Sequence, residues 1–439
     1  MKLHYIGLLL FAIAYNNLFS QQLSTDIFKD ELVNANGVIN DQLLVMKTME
    51  NQYPGYSEQV SKVFQENKSR DNQSYNKNIL HEVSVVVHVV HQTSEENLPD
   101  SVIYSQIEVL NEDFQRLNAD SNNLRSIFMP IAGNPNIKFN LVQIIRVPTT
   151  SSFSVGLTGL PDNVKQTANG GSDAWNTDQY LNIWICKLES FFGALFGYAY
   201  PPAGLSNWPA GSQAPSPDLD GVVLDYRAVG RNNPNPFNNG AGGSFVINGR
   251  TATHEVGHYF GMRHIWGDGG GIFGGSSCGE DDGIIDTPNQ GAQSNNNCDT
   301  TLNTCTDSVG VDLPDLIENH MDYSEETCKN MWTQMQSDFI RNVLENERVG
   351  LLNDNTGQHE LTFDFQIYPN PANDLVHIFL PDGGGKLSVE LKDINGKTIY
   401  LSSQIQPKSI LDISKLNRGV YFIKVNVGNK FKIKKLLVK

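Results

Sequence analysis

Apolar positions follow two different periods along this chain, and the change between them divides it. Residues 83–90, Val-Ser-Val-Val-Val-His-Val-Val, form a β-branched run bounded by polar residues and predict a strand. Ile103, Ile107, Leu110, Phe114 and Leu117 then recur every three or four positions, which predicts an amphipathic helix whose start Asp100 or Ser101 can cap. Residues 137–147 and 180–186 read as further strands, and residues 201–245, rich in Pro, Gly, Asn and Ser, read as loops. After about Asn346 the pattern shifts. A polar stretch at 350–360 reads as a linker, and short alternating runs follow at 376–380, 387–391 and 420–425. Asn395-Gly396 supplies a hairpin turn, so the C-terminal part predicts a small all-β sandwich.

The N-terminal part has a different character. Lys2 followed by a short apolar run at 6–14 and small residues up to Ser20 reads as a secretory signal peptide, too short to span a bilayer. Residues 21–80 are polar, with one amphipathic stretch near 28–49, and suit a propeptide removed near Arg70 or Lys77. No other segment is long and apolar enough for a transmembrane helix. At 439 residues the chain predicts two or three domains, and a net charge of −16 argues against a nucleic-acid partner. Export permits disulfides, in keeping with cysteines clustered at 278, 298, 305 and 328; Cys186 is left over, in an apolar run, as a buried free thiol.

The chemistry is concentrated in residues 254–264, which read H-E-x-x-H-x-x-G-x-x-H, the long zinc-protease signature. His254 and His258, one helical turn apart, can share a metal ion, and Gly261 is a natural place for the helix to stop. The chain then returns His264 as a third nitrogen ligand and leaves one position open for water, as in catalytic rather than structural zinc sites. Bound zinc lowers the pKa of such a water to about 7. Glu255 can take its proton as it attacks a peptide carbonyl and pass it to the leaving amine. Met321, in Asn319-His320-Met321-Asp322-Tyr323, is expected to form a methionine turn beneath the site, and Tyr323 to stabilise the oxyanion. His88 and His91 lie outside this pattern and read as strand histidines.

These residues resemble the pappalysin (cytophagalysin, ulilysin-like) branch of the metzincins over roughly residues 80–345. The resemblance implies an α/β (α+β) zincin-like catalytic domain, with a twisted mixed sheet above the cleft and an active-site helix below it. It implies a secreted, zinc-dependent endopeptidase that acts on proteins or peptides and is made as a zymogen. Four cysteines allow three pairings; the resemblance implies Cys278–Cys305 and Cys298–Cys328. It also implies a structural calcium ion held by Asp282, the Ile285 carbonyl and Thr287, with Asp268 as a further candidate in an oxygen-rich run. Two departures stand out. Many relatives silence the zymogen with a propeptide cysteine, but no cysteine precedes Cys186, so a carboxylate such as Asp71 is expected in its place. Relatives that cut before Arg or Lys carry an acidic residue just ahead of the last of the four cysteines; here that position is Thr327, with Glu325 and Glu326 adjacent, which makes a basic preference plausible.

In the C-terminal part, Tyr368-Pro369-Asn370-Pro371, Asp393-Ile394-Asn395-Gly396-Lys397 and Leu416-Asn417-Arg418-Gly419-Val420-Tyr421 resemble, as an ordered set, the type A sorting domain of the type IX secretion system. That implies a Bacteroidetes-type bacterium, recognition by the secretion machinery, and release or attachment at the outer-membrane surface. The expected organisation is signal peptide 1–20, propeptide 21–80, catalytic domain 81–348, linker 349–361 and sorting domain 362–439.

Overall fold

The computed structural model describes residues 32–34, 36–67, 79–156, 159–190, 193–205, 208–239, 242–267, 278–279, 281–307, 311–352, 365–379, 387–393, 397–405, 408–427 and 430–439. The expected signal peptide, Arg70, Asp71, Lys77, Asp268 and the Asn395-Gly396 turn lie outside them. The chain divides into two compact units, Met1–Asn353 and Asp354–Lys439.

The first unit is built on a five-stranded mixed sheet in the order Ile137–Pro148, His81–His91, Leu181–Cys186, Val222–Asp225, Gly197–Ala199. The first three pairings are parallel and the last is antiparallel. The parallel core explains the long β-branched run at 83–90, because a strand covered on both faces has no polar side to expose. Val83, Val85, Val86, Val87, Val89 and Val90 are all buried. The sheet also corrects the reading of 201–245 as loops throughout. Val222–Asp225 is fully buried and pairs in parallel with Leu181–Cys186. Four residues are too few to show a period, so only the pairing defines this strand.

Helix Asp100–Asp113 packs against the active-site helix Arg250–Tyr259. Its N-cap is Pro99, with no side-chain cap bond, rather than Asp100 or Ser101. It also ends earlier than its apolar spacing suggests. Phe114 closes it and is buried, Arg116 turns at φ 51, and Leu117 is 68% exposed. The chain turns there because Phe114 must enter the aromatic cluster with Phe139, Phe260 and Trp332. His88 is buried in its strand between Ser172 and Asn182, at 2.8 and 3.0 Å, away from the zinc motif.

N-terminal to this sheet, helices Asp41–Gln52 and Tyr56–Asn67 belong to the same unit, and Leu43, Leu44, Val45, Met46, Met49, Tyr56 and Val60 join its core. Beyond helix Gln334–Asn346, capped by a reciprocal Thr333–Gln336 box, the short turn Val349–Leu352 still buries Leu351. The first part of the expected linker is therefore anchored to the first unit.

The second unit packs two antiparallel sheets. One runs in the order Thr398–Ile405, Leu387–Lys392, Gly419–Val427, Lys430–Val438, and the other Lys408–Asp412, Leu375–Phe379, Gln366–Tyr368. Phe365, Val376, Ile378, Val389, Leu391, Ile423, Val425 and Leu436 face each other between them. This is the alternating inward pattern of a β-sandwich.

Candidate metal centre and active site

The active-site helix begins where Gly249 turns left-handed at φ 86. Its free amides are collected by one carboxylate from a distant loop. Glu326 accepts from Arg250 N at 3.1 Å and from Thr251 N and Oγ1 at 2.8 Å each, and also from Asn248 N. A carboxylate at this end also meets the positive pole of the helix. Arg250 pairs with Asp120 through both terminal nitrogens, and Thr253 donates to Asp113 at 2.7 Å. The helix is thus pinned from three sides before it presents its histidines. It stops after Tyr259; Gly261 adopts φ 83, where a Cβ would fall 2.3 Å from Leu205.

The reversal at Gly261 brings the three imidazoles together. The Nε2 atoms of His254, His258 and His264 lie 3.1 to 3.2 Å apart. Each helical histidine turns its other nitrogen to a carbonyl: His254 Nδ1 to His320 O at 2.7 Å, and His258 Nδ1 to Met262 O at 2.8 Å. Those bonds fix Nδ1 as the protonated nitrogen and leave Nε2 lone pairs facing one point. His264 stacks on Trp266 at 4.2 Å. Burial presses the His254 imidazole down to about 3, so it stays neutral, the form a metal requires. Ligand nitrogens of one tetrahedral zinc ion at about 2.05 Å lie about 3.3 Å apart, so this donor set fits zinc.

A fourth donor completes the cluster, and it comes from the N-terminal segment. Asp41 places Oδ1 3.2 Å from His264 Nε2 and 3.6 Å from His258 Nε2, and Oδ2 3.5 Å from His254 Nε2. The four side chains form a buried group able to hold one metal ion. Burial opposes the Asp41 charge, but the neighbouring imidazoles hold its carboxyl well below the usual range. Asn40 caps the helix that begins at Asp41, and the preceding strand segment is tied to the cleft by Ile39 N donating to Ala194 O and Ala194 N to Gly37 O. Sequence reasoning pointed to Asp71 for this place; the residue at the imidazoles is Asp41. Its signal was an Asn-Asp pair opening a helix inside the amphipathic stretch, which does not distinguish a ligand from a helix start.

Glu255 is buried beside this cluster, and burial followed by the Asp41 charge pushes its carboxyl well above the usual range. Behind it, Gly197 on the edge strand leaves no room for a side chain: a Cβ there would meet Glu255 Cγ at 2.8 Å and Val223 O at 2.7 Å. Tyr323 is also at the site. Its hydroxyl donates to Asp41 Oδ1 at 2.9 Å and accepts from Asp41 N at 3.0 Å. Met321 lies under the helix, where a Cβ on Gly257 would come 2.4 Å from its sulfur.

The cysteines pair as Cys278–Cys305 and Cys298–Cys328, and Cys186 is buried and free. Asp282 is buried; its Oδ1 accepts from Ile284 N and Thr287 Oγ1 at 2.9 Å each, while its Oδ2 has no partner among the described residues. Asp286, in the same acidic run, instead accepts from Thr333 Oγ1 and Met335 N at the start of the last helix of this unit.

The family described as pregnancy-associated plasma protein-A matches residues 244–345, and that described as secretion system C-terminal sorting domain matches residues 366–439. An extracellular metalloprotease of Uncinocarpus reesii is 30% identical over 266 residues, 60% of this chain and 76% of the relative. Mature mirolysin of Tannerella forsythia, solved with a cleaved peptide, is 38% identical with a TM-score of 0.52, covering 63% of this chain and 97% of mirolysin. A promirolysin mutant is 34% identical with a TM-score of 0.54 and extends the match to 70% of this chain and 95% of its own. Among the described residues no helix is long and apolar enough to cross a membrane. The chain belongs to the pappalysin family of metzincin metalloproteases: it is a zinc-dependent endopeptidase made as a zymogen, and its C-terminal sorting domain marks it as a secreted or surface protein of the type IX secretion route.

Proposed function

We propose that His254, His258 and His264 hold the catalytic zinc, that Glu255 is the general base, and that Tyr323 stabilises the oxyanion. The convergence of three Nε2 atoms on one point, with Nδ1 of His254 and His258 engaged elsewhere, carries this reading. When bound, zinc supplies a Lewis acid that polarises the substrate carbonyl and acidifies water. Glu255 takes the proton of the attacking water and returns it to the leaving amine. Its burial favours that exchange, because a carboxylate starved of solvent is a stronger base. The Tyr323 hydroxyl, freed from Asp41, donates to the developing oxyanion. Met321 supports the helix from below.

The form described here is the latent one. Asp41 occupies the place of the attacking water and also engages Tyr323, so one propeptide side chain silences two catalytic groups. We assign the propeptide to 21–80 and the catalytic domain to 81–348. A cut between helix Tyr56–Asn67 and strand His81–His91 frees the segment without breaking a core strand. The unpartnered Oδ2 of buried Asp282, with the Thr287 hydroxyl beside it, supports a structural calcium ion completed by the Ile285 carbonyl. Residues 362–439 act as the sorting domain that the secretion machinery recognises, after the 349–361 stretch, whose first residues, Val349–Leu352, pack on the first unit.

The test is cleavage of denatured protein by the processed enzyme, with metal analysis alongside. Wild type should carry one zinc per chain and lose activity to a chelator. Glu255→Ala should keep the zinc and lose about 10²- to 10⁴-fold in kcat. Equal activity in Glu255→Ala removes the proposed base.

A further inference from the structure

Beside the catalytic residues lies a cavity of about 420 Å³, walled in part by Asn36 and Gly37 of the segment removed on activation and otherwise by residues that include Phe196, Thr251, Glu325, Glu326 and Lys329. A smaller space against His254, Glu255 and Tyr323 shares Phe196, Thr251 and Lys329 with it. A substrate side chain next to the scissile bond therefore has this cavity as its neighbour. What the cavity selects depends on which of its charges is free.

Glu326 is not free. Its two oxygens are taken by three backbone amides and the Thr251 hydroxyl at the start of the active-site helix, and the positive helix pole compensates its charge. Glu325 accepts from the Thr327 hydroxyl. Lys329 has the opposite character. It is 7% exposed, and its ammonium has neither a hydrogen bond nor an ion pair among the described residues. The carboxylates of Glu326, Asp322, Asp41 and Glu255 act on it only at longer range. An ammonium largely withdrawn from solvent and without a partner is costly, and a carboxylate entering from substrate relieves that cost. An Arg or Lys side chain adds a like charge.

We infer that Lys329 makes this cavity a subsite for an acidic side chain, so that the enzyme cuts next to Asp or Glu rather than next to Arg or Lys. The inference rests on the proteolytic reading above and names the substrate class of the same site. It departs from a basic preference based on Glu325 and Glu326, because Glu326 is spent on the helix start and Glu325, which also lines the cavity, is partly exposed to solvent that screens its charge, whereas Lys329 is buried.

The experiment is cleavage-site profiling of the processed enzyme on a proteome-derived peptide library, read by mass spectrometry. Wild type should enrich Asp or Glu at one position flanking the cut. Lys329→Met should lose the enrichment, Lys329→Arg should keep it, and Lys329→Glu should replace it by Arg or Lys. On matched peptides carrying Glu or Gln at that position, the wild-type kcat/KM ratio should exceed about tenfold and approach one in Lys329→Met. Cleavage by wild type without acidic enrichment, or enrichment unchanged in Lys329→Met, overturns the inference and leaves proteolysis standing. A wild type that cuts no peptide removes both. The wild-type profile decides the matter even where a variant fails to fold.

Discussion

The Asp41 carboxylate lies 3.2 Å from Nε2 of His264, joining the N-terminal segment to the catalytic centre. The same carboxylate accepts from Tyr323, and Ile39 and Gly37 are bonded to Ala194 on the cleft wall. Under the proposed function, latency is a ligand supplied by the chain's own precursor. Asp41→Ala is expected to give an unprocessed precursor that cleaves a quenched peptide at least about tenfold faster than the wild-type precursor, since truncating one partner of a buried charged cluster costs about 3–5 kcal/mol. Mature enzyme made from either precursor should be equally active. A variant precursor as silent as wild type would falsify the ligand role of Asp41.

Gly197 should tolerate no side chain. An added Cβ meets the Val223 carbonyl and the Glu255 stem at once, and backbone cannot yield as a flexible side chain does. Gly197→Ala is expected to destabilise the mature enzyme by about 1–3 kcal/mol. By displacing Glu255 it should also lower kcat by about 10- to 100-fold. Chemical denaturation and steady-state kinetics separate the two effects; unchanged kcat in a folded variant means that the edge strand does not position the base.

His88 makes the fold acid-sensitive. Burial depresses its imidazole from 6.5 to about 4, while the Ser172 and Asn182 contacts hold it in place. Between those values the unfolded chain binds a proton that the folded chain refuses. The contribution is therefore complete above pH 6.5 and is lost as pH falls towards 4, by up to about 3 kcal/mol. Urea denaturation of mature wild type and His88→Gln at pH 7.5 and 4.5 should show a smaller acid loss in the variant. Equal losses would mean that His88 titrates normally.

Calcium should stabilise the catalytic unit through Asp282. At a hundredfold excess over its dissociation constant a ligand specific to the folded state adds about 2.7 kcal/mol. Adding calcium to EGTA-treated protein should raise the melting temperature of wild type but not that of Asp282→Asn. The same rise in both proteins points to binding elsewhere.

Local chemistry was legible where neighbours in sequence are neighbours in space. His254 and His258 share a helix face by spacing alone, and the β-branched run at 83–90 favours a covered strand. Long-range partners were not legible. Leu117 fits the apolar period of its helix yet is exposed, because Phe114 is drawn into the aromatic cluster first. Val222–Asp225 is too short to announce itself and exists because Leu181–Cys186 pairs with it. Glu326 resembles any loop carboxylate until the helix it caps is placed above it. Cys278–Cys305 and Cys298–Cys328 could not be told from the other pairings by spacing.

The sequence alone determined the reaction chemistry and the two-part construction, since a zinc motif and an alternating sorting module are written in short-range order. Only the tertiary structure decided which carboxylate meets the three imidazoles and which ammonium lines the cavity beside them. Asp41, Glu326 and Lys329 carry ordinary local signals; where they end up follows from how chain crossings distribute burial and hydrogen-bond partners, and no local period encodes that distribution.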